Sequence, residues 1–176
     1  MSTQQDFLAN LEESYPKLAE QIQQLSKYYE KQYFHQLSQS VGELLQTDQF
    51  VDNYDNQIRF YKQFLQSFQD KLNVLTLTTY IVNFSFQDPK KAIIFLKSFY
   101  DKVISEKDVK KQSLARSEAA CLCKAEIAHW TLQSDDLTAA IALIREVGNS
   151  IDQLNSVDNT VHSAYFRVYA QCFWKQ

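Results

Sequence analysis

The chain has 176 residues, of which 45% are hydrophobic and 22% charged, and its formal net charge is −3. Only two glycines and two prolines occur, too few for the tight turns of a β-sandwich, a β-barrel or an α/β fold, because those turns call for residues that tolerate positive φ. The slight negative charge argues against nucleic-acid binding, which depends on clustered Lys and Arg, and no apolar run approaches the length of a membrane span.

In chain order, the first two predicted helices each carry a stripe of apolar side chains spaced three or four residues apart. The first stripe consists of Leu18, Ile22, Leu25 and Tyr29, and the second consists of Tyr33, Leu37, Val41, Leu44 and Leu45. Pro16 favours a helix start just before the first stripe, because its fixed φ suits a first turn. Gly42 interrupts the second stripe, either as a point of close helix approach or as a tolerated defect.

A polar connection is predicted over residues 47–56, with Phe50 and Val51 pointing inward. The third stripe is strongly aromatic and consists of Ile58, Tyr61, Phe64 or Leu65, Phe68 and Leu72. Residues 75–86 are ambiguous, because their alternation and β-branched side chains also suit a strand. We predict a helix there, since a lone strand would have no ladder partner for its backbone groups.

The second half of the chain has clearer helix boundaries. Asp88 can cap a helix that starts at Pro89, and the stripe of that helix consists of Ala92, Leu96, Phe99 and Val103. A charged break at residues 105–111 precedes a long helix predicted over residues 112–133. Its small side chains, which let neighbouring helices approach closely, are Ala115, Ala119, Ala120, Ala125 and Ala128.

The last two predicted helices are strongly patterned. Ser134, Asp135 and Asp136 cap an amphipathic helix over residues 137–154, with apolar side chains at Leu137, Ala140, Ile141, Ile144, Val147, Ile151 and Leu154. A final helix is predicted from about Asp158, because Val161, Tyr165, Val168 and Cys172 follow at helical spacing. The sequence stops within that helix without a cap, so the chain is expected to be part of a longer protein.

Together these patterns predict about eight helices joined by short loops in antiparallel neighbours. The pair formed by residues 124–133 and 137–154 has the helix–turn–helix build of tetratricopeptide-like repeats, although the Trp and Gly positions of that consensus are not filled. The predicted fold is therefore all-α, a right-handed α-solenoid of antiparallel helix pairs. Adjacent aromatic residues, such as Phe60 and Tyr61, are expected to place one ring in the core and the other at an edge.

No catalytic, cofactor-binding or metal-binding residue is predicted, and no small-molecule substrate. Cys121 and Cys123 lie about 200° apart around a helix, which does not suit a shared metal ion, and Cys121 is expected in the core. A nucleophile would need a base, an orienting group and oxyanion donors, and the glycine-rich motifs that hold nucleotide phosphates are absent. The sequence therefore predicts a protein that is not an enzyme.

Three cysteines form a sparse, odd set, unlike a disulfide framework, and fit a reducing compartment. The N-terminal residues lack the basic and apolar regions of a signal peptide. Both observations predict a location in the cytoplasm or the nucleus.

Four stretches, in order along the chain, resemble the 26S proteasome non-ATPase regulatory subunit 13 family, whose members are PCI-domain proteins of the regulatory-particle lid. Residues 29–37 are similar to its Tyr-x-Lys-Lys-Leu-Trp-His-Gln-Leu stretch, with Phe34 in place of Trp; residues 58–75, 88–96 and 161–166 match later helices. The matching residues, structural or interfacial in role, are Tyr33, Phe34, His35, Gln36, Leu37, Tyr61, Phe64, Asp88, Pro89, His162, Ser163 and Tyr165.

The resemblance implies that residues 1–176 form the N-terminal helical-repeat domain of such a protein, without its PCI and winged-helix module. It implies a non-catalytic scaffold in lid assembly and ubiquitin-dependent degradation. The implied partners are other lid and regulatory-particle subunits, with the ubiquitin-receptor subunit among the candidates. Two alternatives stay open: a PCI-type scaffold of the signalosome or of translation initiation factor three, and a free-standing adaptor with tetratricopeptide-like repeats.

Overall fold

A computed structural model describes residues 3–50, 53–68, 71–83, 86–104, 114–154 and 157–176. Within these ranges the regular structure is helical and includes no strand, which confirms the all-α prediction. The α-helices are α1 (Thr3–Ser14), α2 (Ala19–Glu30), α3 (Phe34–Leu44), α4 (Tyr54–Ser67), α5 (Lys71–Val82), α6 (Pro89–Phe99), α7 (Leu114–Gln133), α8 (Leu137–Asp152) and α9 (Asn159–Trp174). A 3₁₀ turn, Pro16–Leu18, precedes α2, and a π turn, Tyr100–Ile104, extends α6.

The chain divides into two compact units, Met1–Tyr80 and Ile81–Gln176. The described residues hold one helix more than the predicted eight. The additional helix is α1, which the spacing analysis did not identify. Its inward side chains include Leu8 and Leu11, which are 3% and 5% exposed.

The core of the first unit is built largely from aromatic rings. The Phe7 ring of α1 lies 5.6 Å from that of Phe60, 6.3 Å from Phe64 and 6.2 Å from Phe68, mostly edge to face. Phe60 and Tyr61 are both buried, so the prediction that one of this pair would lie at an edge is wrong. The physical reason is that α1 covers the side of α4 on which Phe60 lies.

The stripes predicted for α2 and α3 are buried apart from their aromatic members and Leu18, which is half-buried in the 3₁₀ turn before α2. Ile22 and Leu25 of α2 are 1% exposed, and the stripe of α3 from Leu37 to Leu45 is equally buried. Tyr33 is 51% exposed, which contradicts its assignment to this stripe. Tyr33 precedes α3 with a non-helical backbone (φ −85°, ψ 67°), so its side chain does not share the direction that helical spacing assumes.

A buried glutamine holds the connection between α3 and α4. Gln57, 2% exposed, donates hydrogen bonds from Nε2 to the carbonyl oxygens of Leu45 (3.1 Å) and Phe50 (3.0 Å). The two carbonyl groups are thereby satisfied away from water. Phe50 is fully buried, as predicted, whereas Val51 lies outside the described residues; α4 begins at Tyr54, earlier than the predicted connection allowed.

The ambiguous segment is helical through Val82, as part of α5, whereas Asn83 and Phe86 are described and lie outside the helix. Its threonines fit a helix because Thr78 and Thr79 return hydrogen bonds to the carbonyl oxygens of Val74 and Leu75, at 2.7 and 2.8 Å. The ring of Tyr80 lies against Gly42 so closely that a Cβ at Gly42 would overlap it. Gly42 therefore marks a point of close approach rather than a tolerated defect.

The second unit begins with a helix whose start was predicted correctly. Asp88 caps α6 by accepting a hydrogen bond from the backbone N–H of Lys90 at 2.9 Å, and Pro89 is the first helical residue. The predicted stripe is buried from Ala92 through Val103, and the π turn carries its last member. The predicted charged break at residues 105–111 lies outside the described residues.

Helix α7 lies at the centre of the second unit and contacts α6, α8 and α9. Ala119, Ala125 and Ala128 are fully buried, so small side chains do permit close helix approach. Asp136 caps α8 by accepting a hydrogen bond from the Ala139 N–H at 3.1 Å, and Asp135 takes the positive φ (63°) that turns the chain. Within this unit, α7, α8 and α9 form consecutive antiparallel neighbours.

Candidate protein-interaction surface

The three thiols lie in the core of the second unit. Cys121, Cys123 and Cys172 are free and at most 3% exposed, which confirms the prediction for Cys121. Burial raises the pKa of each thiol above its ordinary value; nearby Glu126 and Asp101 add to the rise at Cys123. A raised pKa keeps the thiol protonated, and the thiolate is the form that attacks or binds metals. Among the residues that the structure describes, no group of three or more His, Cys, Asp or Glu side chains could hold a metal ion.

Polar contacts fix the orientation of α9 on α7. Arg167 pairs with the nearly buried carboxylate of Glu126, with Nη2 2.7 Å from Oε2. At the start of α9, the backbone N–H of Asp158 donates to Oε1 of the buried Glu118 at 2.9 Å. Val161, Ala164, Val168 and Cys172 then point into the core. Because these contacts hold one side of α9 against α7 and the core, the opposite side of α9 points outward.

The outward face of α9 is aromatic. Its members, Tyr165, Phe166, Tyr169 and Phe173, are called here the α9 aromatic face. Phe166, Tyr169 and Phe173 are 60%, 48% and 65% exposed. The rings of Tyr165 and Phe166 are 5.2 Å apart and those of Tyr165 and Tyr169 are 5.9 Å apart. A contiguous apolar surface of this kind is typical of a binding site in a soluble domain.

A groove runs between α8 and α9 beside this face. It contains a cavity of about 300 Å³, lined among others by Ile151, Asp152 and Tyr165, and a second of about 180 Å³, lined among others by Ile141 and Phe173. Arg145 lines both cavities. We call these two cavities and their walls the α8–α9 groove.

The walls of the groove approach closely at Gly148. The hydroxyl oxygen of Tyr165 lies 2.8 Å from the position that a Cβ at Gly148 would take. Partial burial raises the pKa of Tyr165, and nearby Tyr169 and Asp152 contribute further to the rise. The Tyr165 hydroxyl therefore stays neutral and can both donate and accept hydrogen bonds at the groove.

The first unit has another groove, between α1 and α4. Its cavity is about 540 Å³ and has one acidic and one basic side chain, Asp6 and Arg59. Most of the remaining lining is amide or hydroxyl, including Asn10, Gln63 and Ser67.

The residues selected by motif fall into three structural groups. Leu37, Tyr61 and Phe64 belong to the core of the first unit, and burial raises the pKa of Tyr61. Asp88 and Pro89 form the start of α6. The surface members are Tyr33, His35 and Gln36 in the first unit and His162, Ser163 and Tyr165 in the second. Phe34 begins α3, and its side chain lies outside the described part.

The structure brings two motif residues, His162 and Tyr165, to one end of the α8–α9 groove, where both line its larger cavity. Ser163 is exposed and lines neither cavity of the groove. The His162 ring stacks on Phe166, with centroids 6.2 Å apart. Sequence reasoning missed Arg145, Tyr169 and Phe173. The available signal was a second set of aromatic residues on α9, offset by one position from the buried stripe.

No helix in the described ranges is both long and apolar enough to cross a membrane.

The chain matches known proteins over nearly its whole length. It is 25% identical over 169 residues to the 26S proteasome regulatory subunit RPN9 of Saccharomyces cerevisiae, covering 92% of the chain and 42% of the relative. It is 23% identical over 167 residues to the 26S proteasome non-ATPase regulatory subunit 13 homolog A of Arabidopsis thaliana, covering 94% and 42%. The Dictyostelium discoideum subunit 13 is 24% identical over 170 residues, covering 93% and 40%.

The chain thus spans about two fifths of the length of these relatives. The sequence family described as PSD13 N-terminal repeats matches residues 21–176, which is most of the chain and includes every surface of the second unit. The helices of the described residues are consistent with that description. The chain therefore belongs to the PSD13 N-terminal repeat family.

Proposed function

We propose that this chain is the helical-repeat part of a structural subunit of the 26S proteasome regulatory-particle lid. It would act as a scaffold for protein–protein contacts in lid assembly and thereby serve ubiquitin-dependent protein degradation. The observation that carries the proposal is the family match over residues 21–176. Relatives in a fungus, a plant and an amoeba are named as regulatory subunits of this particle.

The character of the surfaces supports a binding role. An exposed aromatic helix face beside a groove of mixed polar and apolar lining suits contact with another protein, since aromatic residues are enriched at the centres of such interfaces. The buried thiols and the helix-capping carboxylates are each explained by the fold. We propose accordingly that the subunit is not catalytic, and that it works in the cytoplasm and nucleus.

The proposed partners are other subunits of the lid and of the regulatory particle, including the ubiquitin-receptor subunit. The domain assignment belongs to the same proposal: residues 1–176 are the repeat region of a protein whose PCI module lies outside this sequence. The relatives' greater length is compatible with such a module.

Affinity purification from the organism of origin tests the proposal. The protein would be tagged at its own locus, isolated at moderate salt and analysed by quantitative mass spectrometry against an untagged strain. We expect lid and regulatory-particle subunits as the dominant specific partners. Recovery of signalosome subunits or of translation initiation factor three instead, or of chaperones alone, would contradict it.

A further inference from the structure

We propose that the α8–α9 groove is a docking site for an amphipathic helix supplied by a neighbouring lid subunit. The docked helix would place apolar side chains against the α9 aromatic face. It would carry an acidic residue opposite Arg145 and a basic residue opposite Asp152. The inference deepens the proposed function and rests on it, because it specifies where and how a lid partner binds.

The first support is that α9 has two apolar faces. One face, from Val161 to Cys172, is buried in the second unit. The α9 aromatic face uses the same helical spacing, with Phe166, Tyr169 and Phe173 at i, i+3 and i+7, but faces outward. A helix that is apolar on more than one side packs against neighbours on each of those sides.

Helix α7 shows this behaviour within the same unit. Its residues from Glu118 to Ala128 are buried on nearly every side, and it contacts α6, α8 and α9. By the same physical argument, a further helix beside α9 would remove three half-exposed aromatic rings from water. Each ring contributes a large apolar area, so burying the three rings against even one helix would stabilise the complex substantially.

The charges along the groove indicate the chemistry of the partner. Arg145 lines both cavities, and Asp152 lines the larger one. Neither side chain has an ion-pair partner among the described residues. They lie seven residues apart on α8, which is about two turns and about 10 Å along the axis. A docked helix complements both if it carries opposite charges at a matching seven-residue spacing.

The shape of the groove favours a helix over an extended segment. Its walls are the side chains of two antiparallel helices, with Ile141, Ile144 and Ile151 on one side and aromatic rings on the other. Side chains of a third helix can interdigitate with such walls. An extended strand would need main-chain partners, and the backbone groups within α8 and α9 are already used in their own helices.

Site-specific cross-linking in the assembled complex tests the proposal. The photoreactive residue p-benzoylphenylalanine would replace Phe166 or Tyr169 in the tagged protein, with Ile94, 66% exposed on α6, as the control position. We expect the two groove probes to label one lid subunit at residues three, four or seven apart in a single helix. That helix must carry the acidic and basic residues at the stated spacing.

A charge reversal at Arg145 is the second experiment on the docking site. Arg145→Glu is expected to weaken binding of the cross-linked subunit about tenfold or more. Reversing the acidic residue of the partner helix should restore the affinity. Lys97→Glu, an exposed change on α6, serves as the matched control, and circular dichroism checks that each variant is folded.

The outcomes separate the two proposals. Normal lid association with an unaffected Arg145→Glu variant overturns the docking site and leaves the proposed function standing. Cross-links to a second copy of this chain, to other residues of the same protein, or to an extended segment also overturn the docking site. If the wild-type protein does not associate with lid subunits, the proposed function fails and the docking site fails with it.

Discussion

Removing Arg167 should destabilise the second unit through the carboxylate that it leaves behind. The side chain of Glu126 is 8% exposed, that of Arg167 is 44% exposed, and Nη2 and Oε2 are 2.7 Å apart. Arg167→Met keeps most of the aliphatic stem but leaves the carboxylate with no cation in contact. The expected effect therefore isolates the charge from the packing.

The magnitude follows from the burial of the two partners. Breaking a fully buried pair costs about 3–5 kcal/mol, whereas an exposed pair contributes about 0–1 kcal/mol. Because one partner is nearly buried and the other is half-exposed, we expect Arg167→Met to lower the free energy of unfolding by about 2 kcal/mol. That loss corresponds to a roughly 30-fold larger unfolded population.

Two further variants provide the comparison. The pair between Lys124 and Glu146 is longer, at 3.7 Å, and Glu146 is 60% exposed, so Glu146→Gln should cost less than about 0.5 kcal/mol. The double variant Glu126→Met/Arg167→Met removes both charges and should recover at least half of the loss. A buried pair replaced by apolar groups of similar shape is often near neutral.

Urea unfolding followed by tryptophan fluorescence is the appropriate assay. Both tryptophans of the chain, Trp130 and Trp174, lie in the second unit, so the signal reports the unit that carries the ion pair. An unchanged slope with denaturant would show that the unfolding transition is comparable between variants. The reasoning is refuted if Arg167→Met costs no more than Glu146→Gln, or if the double variant is less stable than Arg167→Met.

Three other predictions follow from the packing. Gly42→Ala should lower the free energy of unfolding, measured by thermal unfolding, by about 1–3 kcal/mol, because its Cβ would overlap the Tyr80 ring. Gly148→Ala should lower it by less, since the movable hydroxyl end of Tyr165 faces that position. Equal losses of stability in the two variants would contradict this reasoning. Asp88→Ala should cost about 1 kcal/mol through the lost cap, whereas Asp88→Asn should retain most of it. The three thiols, whose pKa burial raises, should react with a disulfide reagent at neutral pH only on unfolding; rapid labelling of the folded protein would contradict their burial.

Local patterns predicted most helices correctly. Ile22 and Leu25 are buried on α2 as their spacing indicates. Asp88 and Asp136 accept the hydrogen bonds expected of helix caps. These features depend on residues within one or two turns of each other, so a single sequence contains the necessary information.

Features that depend on distant contacts were not accessible in the same way. Phe60 is buried because Phe7, more than fifty residues away, covers it, and α1 itself was not predicted. The prediction places Tyr33 in a buried stripe because it applies helical spacing to the residue just before the first residue of α3. In each case tertiary packing or the exact helix boundary decided the outcome.

The candidate site was predictable only in part. The motif residues His162 and Tyr165 do lie at the α8–α9 groove, but their resemblance to a family gave no indication of a groove. Tyr169 and Phe173 continue the helical period of Tyr165 at i+4 and i+8, a pattern that the sequence itself contains. The placement of Arg145 between two cavities depends on how α8 and α9 pack, which spacing along either helix does not determine.

Sedimentation of the protein in a native cell extract is the most direct test of a role in the lid. Extract from cells that carry the tagged protein would be resolved on a glycerol gradient at low salt, with proteasomal peptidase activity measured in each fraction. We expect the protein to peak with the peptidase activity of the assembled 26S particle and to leave that peak when the lid is dissociated. Sedimentation only as a free protein, or with a particle that lacks this activity and lid subunits, would contradict the account.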